Sequence, residues 1–121
     1  MIKEKYETLI RKLFEATGEG KIEWEETSSK NEYLTKIGNS AVSIGFYDPD
    51  DLTNSFYYSP SGAAPELFYY LSIFNSDGKL IDNETMKESD PDFETMKTLY
   101  QEVRRAYYKV DKTLDDILNN L

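Results

Sequence analysis

The feature that most restricts the fold is an apolar stripe in the last third of the chain. Phe93, Met96, Tyr100, Val103, Tyr107, Val110, Leu114, Ile117 and Leu121 follow one another in steps of three and four. That spacing lays all of them along one side of an α-helix and gives the helix an apolar face to bury. Asp90-Pro91 supplies its start: Asp is a good N-cap, Pro is pre-organised for the first turn, and Asp92 and Glu94 suit the positive end of the helix dipole. Read as unbroken, 31 residues at about 1.5 Å each would reach roughly 46 Å. Leu99, Ala106 and Leu118 widen the stripe beyond a strict coiled-coil seam, which favours a helix lying across a sheet. The length favours a homodimer through the distal turns of the same helix, so both readings stay open.

The rest of the chain supplies the sheet. Ile2, Tyr6, Leu9, Ile10, Leu13 and Phe14 predict an amphipathic N-terminal helix ended by Gly18 and Gly20. Ile22 and Trp24 alternate with Glu23 and Glu25, Ser28-Ser29-Lys30-Asn31 has turn chemistry, and Tyr33, Thr35 and Ile37 alternate again. Gly38-Asn39 turns into a third strand, with Val42, Ile44 and Phe46 on one face and Ala41, Ser43 and Gly45 on the other. Leu67 to Phe74 forms a fourth strand. Asn75-Ser76-Asp77-Gly78 turns it into a short fifth at Leu80-Ile81. In a strand, neighbours point to opposite faces, so Tyr69 and Tyr70 are both buried only if both faces are covered. The expected architecture is one α+β domain over 1–121: N-terminal helix, five-stranded mostly antiparallel meander with a long 47–65 connector, and long C-terminal helix packed on the sheet. A chain of 121 residues has room for one such core.

Composition narrows the chemistry. The chain carries no cysteine and no histidine, so thiolate nucleophiles, Cys-type zinc sites and the usual general base are missing. Its net charge is −9, which makes nucleic acid and anionic lipid poor partners. No apolar run approaches a membrane span or a signal peptide, so a cytoplasmic location is expected. Asp48-Pro49-Asp50-Asp51 invites a calcium reading, but the fifth, sixth and twelfth positions of such a loop fall on Leu52, Thr53 and Ser59, where a ligand, Gly and Glu are needed. No phosphate-cradling glycine loop or nucleophile elbow occurs. The expectation is therefore no enzyme, no catalytic residue, no metal and no cofactor.

The charge is unevenly placed: residues 1–21 and 97–121 each sum to +1, which leaves −11 for 22–96. Between Lys36 and Lys79 no basic residue occurs, while Asp48, Asp50 and Asp51 lie close in sequence to Phe56, Tyr57 and Tyr58. A long aromatic connector gains nothing for a domain unless its rings are buried or meet something else. Asp48, Asp50 and Asp51 would steer a protein partner with a basic surface, and Phe56, Tyr57 and Tyr58 would anchor it. The alternative is a small-molecule-binding domain with an aromatic pocket between loop 47–65 and the sheet.

The segments Ile22–Thr27, Leu71–Ile81 and Val110–Leu118 together resemble a group of small bacterial α+β proteins with a helix, a meander sheet and a long C-terminal helix. The resemblance implies that fold and carries no activity or site residue with it. A small inhibitor of immunity or anti-defence type would fit an acidic interaction module of this size.

Overall fold

The computed structural model describes residues 4–49 and 67–121. The chain runs α1 (Glu4–Gly18), β1 (Glu25–Glu26), β2 (Glu32–Ile37), β3 (Ser40–Tyr47), β4 (Phe68–Phe74), β5 (Leu80–Lys87), α2 (Phe93–Tyr107) and α3 (Val110–Asn119). The strands form one antiparallel meander in the order β1-β2-β3-β4-β5. This is the α+β arrangement expected from the alternation patterns.

Register decides which side chains share a face. Tyr33, Ile44, Leu71 and Glu84 form one cross-strand row, with Phe46, Tyr69 and Met86 beside it. These rows face α1 and α2, and the core joins Ile44, Leu71 and Met86 of the sheet to Ile10 and Leu13 of α1 and to Met96, Leu99 and Val103 of α2. Trp24 closes one end, its indole N–H donating to Thr17 Oγ1 at 3.0 Å in a buried bond. Of the residues expected in the core, Trp24, Ile44, Leu71 and Val103 are buried, and Tyr107 packs half-buried at its margin. Tyr6 donates its hydroxyl to Asp82 and ties α1 to β5.

Four details depart from the expectation. The first strand is only two residues long: its ladder to β2 is Glu25 to Leu34 and Glu26 to Tyr33, while Ile22 and Trp24 still turn inward between exposed Glu23 and Glu25. The fifth strand runs to Lys87 rather than ending at Ile81, since seven residues of β4 pair with it around a bulge at Ile73/Phe74. The second helix begins at Phe93, two residues later than the Asp90-Pro91 cap implies. Asp90 instead accepts from the Lys87 backbone N–H at 2.8 Å and closes the turn after β5.

The fourth departure is the largest: the long C-terminal helix is broken at Tyr108-Lys109, where Lys109 takes φ 52°, ψ 49°. Tyr108 still follows the turn of α2, with a right-handed φ of −82° and its backbone N–H donating to the Arg104 carbonyl at 3.0 Å. Tyr107 and Tyr108 both meet Tyr33, at centroid distances of 5.2 and 6.4 Å, and the chain leaves the helix at the next residue. Arg105 bridges the break to Asp111 at 2.8 Å, and Arg104 sits over the Tyr108 ring at 5.3 Å.

Candidate functional site

Because both large helices lie on one face, the other face of the sheet carries its own arrangement. Its rows are Glu32-Gly45-Tyr70-Thr85, Leu34-Ser43-Ser72-Asn83 and Tyr47-Phe68-Lys87. The Tyr69-Tyr70 pair is thereby resolved: Tyr69 is buried under α2 against Phe93 and Tyr100, and Tyr70 lies half-buried on the opposite face.

Glu32 organises this face. Its carboxylate accepts from Thr27 Oγ1 at 2.8 Å and from Ser43 Oγ at 3.1 Å. It also shares a hydrogen bond with the Tyr70 hydroxyl. Burial first, and then the charge of Glu32, push the Tyr70 phenol well above its ordinary value. Three hydroxyls around one carboxylate hold it at a fixed place. Next to it, Asn83 donates to Ser72 Oγ at 2.8 Å and accepts from Thr85 Oγ1 at 3.0 Å. A short polar network therefore crosses the centre of the sheet.

Towards the sheet end where the 47–65 connector leaves and returns, the polar rows give way to rings. Tyr47 and Phe68 stack at 5.1 Å with 22° between their planes, and Phe68 meets Tyr70 at 6.1 Å. Asp48 follows directly, half-buried. The rings, together with Phe46, Ser29 and Lys30, line a cleft of about 450 Å³. Aromatic faces of this kind can take up an apolar stem, and Lys30 is the charged residue of the same lining.

Of the six residues singled out from the sequence, Asp48 is described: it follows Tyr47 directly, is half-buried, and is not among the residues that line the cleft. Asp50, Asp51, Phe56, Tyr57 and Tyr58 lie outside the described residues. Glu32, Tyr47, Phe68 and Tyr70 were not singled out, although period-two alternation of β3 and β4 already places residues 47, 68 and 70 on the face opposite Ile44 and Leu71.

A second groove, of about 510 Å³, runs between α1 and α2, with Ile10, Phe14 and Leu99 on its floor and Glu7, Arg11 and Glu94 at its rim. It is far less differentiated, being the ordinary seam between two amphipathic helices. Among the described residues, no group of three or more carboxylates converges on a metal position, and no helix is long and apolar enough to cross a membrane. Compared with known protein families, curated proteins and solved structures, the chain matches none, so the residues themselves carry the functional argument.

Proposed function

We propose that the chain is a non-enzymatic protein-interaction module of the cytoplasm that docks a partner through a basic surface, as a small inhibitor of immunity or anti-defence type would. The observation that carries this reading is the shelf of Tyr47, Phe68 and Tyr70 on the sheet face away from the helices, next in sequence to Asp48 and within residues 22–96, which sum to −11. Tyr and Phe give contact area at low entropic cost, and carboxylates around them accelerate encounter with a cationic surface. Asp50, Asp51, Phe56, Tyr57 and Tyr58 follow Asp48 in sequence and belong to the same proposal, the acids as steering charges and the rings as anchors.

The test is capture from host lysate with immobilised wild type and with Tyr47→Ala/Phe68→Ala and Asp48→Lys variants, each shown by circular dichroism to be folded. A basic protein retained by wild type, lost with the double variant and retained less at high salt supports the reading. Equal retention by all three chains overturns it.

The cleft itself favours a second reading, a small ligand held between the rings, since about 450 Å³ falls within the range of small-molecule sites. Binding of such a ligand would be nearly indifferent to ionic strength, which separates the two.

A further inference from the structure

α3 buries none of its residues. Leu114, Ile117 and Leu118 are 47%, 51% and 67% exposed, and Leu121, just beyond the helix, is 95% exposed. Water on one side of four large aliphatic side chains is costly. The element is also held away from α2 by Lys109 in the left-handed region, which a residue with a Cβ adopts at a cost.

We propose that α3 pairs antiparallel with α3 of a second copy. Charge selects this occupant. Residues 22–96 carry −11, whereas 97–121, like 1–21, sum to +1, so two copies meet here with less repulsion than they would over the sheet. A basic partner is drawn to the other region. An anionic membrane is disfavoured, because α3 bears Asp111, Asp115 and Asp116 against Lys112 alone.

Pattern selects the orientation. Val110, Leu114, Ile117 and Leu121 step by four, three and four, the a/d spacing of a helix seam. Antiparallel pairing sets Leu114 against Ile117 of the second copy in two central layers and brings Val110 towards its Leu121. The positions beside the seam are then Asp111, Thr113, Leu118 and Asn120. Asp111 is already compensated by Arg105 at 2.8 Å, and Lys112, Asp115 and Asp116 lie on the outer side. No like charges meet. The contact is isologous, so it closes at two copies and does not propagate into a fibre.

Area sets the strength. Ten residues span about 15 Å, which supplies less than the roughly 800 Å² per partner of a standard interface. The dimer is therefore reversible, assembling at micromolar concentrations rather than obligate.

The test is sedimentation of the full chain from about 1 to 200 μM. Wild type is expected to shift from monomer to dimer across this range. Ile117→Asp and Leu118→Glu, at positions that support no monomer core, should weaken association at least tenfold with unchanged circular dichroism. Because the chain has no cysteine, a mixture of Leu114→Cys and Ile117→Cys chains should crosslink faster than either variant alone. Wild type that stays monomeric throughout overturns the proposal, as does a dimer unaffected by both charged variants. Faster crosslinking of either cysteine variant with itself overturns the antiparallel arrangement.

Discussion

Tyr70 lies directly across Gly45, its neighbour on β3: a Cβ on residue 45 would overlap the ring's Cζ and hydroxyl. Glycine in the middle of a strand weakens it unless something approaches closely, and here the approaching group is the ring on its way to Glu32. Gly45→Ala is expected to push the ring aside, break its bond with Glu32 and cost about 1 to 2 kcal/mol in urea unfolding. In a Tyr70→Ala background the obstacle is gone and the same substitution should be close to neutral. A coupling energy near zero in that double-mutant cycle would show that the ring does not depend on Gly45.

That relationship also marks what the sequence conveys and what it hides. Strand alternation already separates Ile44 and Leu71 from Gly45 and Tyr70, because a period of two needs only the sequence. The meander and the faces follow from it, and the N-terminal helix follows from its own steps of three and four. The contact between Glu32 and Tyr70 depends on the register of three strands, to which periodicity along one strand is blind. The break at Tyr108-Lys109 is hidden for a different reason: no Gly, Pro or Asn punctuates it, and the stripe runs through it without a phase change. The left-handed turn at Lys109 directly follows the two tyrosines that meet Tyr33, and nothing in the local sequence marks it.

Thr17 should matter more than a helix-terminal threonine usually does. It is buried and accepts from the single tryptophan, Trp24, at 3.0 Å. Thr17→Val keeps the shape and leaves a buried indole N–H without its acceptor, at an expected cost of about 1 to 3 kcal/mol. The single tryptophan gives the readout directly, as a lower unfolding midpoint followed by its own fluorescence. An unchanged midpoint would mean that water reaches the indole.

Leu71 sits at the crossing of β3, β4 and β5 with α2 and is completely buried. Leu71→Ala removes three carbons from a site walled by β-sheet and helix, where collapse is difficult, and is expected to cost about 2 to 5 kcal/mol. Phe74→Ala, on the same strand but half-exposed on the other face, should cost much less. Chemical denaturation that ranks the two in the opposite order would reverse the assignment of the faces.

The tyrosines give the fold a limit at high pH. Burial is the main cause that raises Tyr6, Tyr33, Tyr69 and Tyr70, and it pushes Tyr100 up to about 12. Hydrogen bonding to Asp82 adds to the shift at Tyr6, and bonding with Tyr108 adds to it at Tyr33. In the unfolded chain the same phenols ionise near 10. Below pH 10 both states hold these protons, and the contribution to stability is fully present. Above it the unfolded chain releases protons that the folded chain keeps, so stability falls as pH rises through the interval from 10 to about 12. Lysines also titrate there, and a variant isolates the phenol. Tyr100→Phe should flatten the fall between pH 10 and 11.5 by up to about one proton, read from urea midpoints along the pH series. Lysine contributions are common to both chains and cancel in the comparison. Equal slopes in wild type and Tyr100→Phe would place the ionisation of Tyr100 at the same pH in the folded and unfolded chain, against its burial between Tyr69, Phe46 and Tyr33.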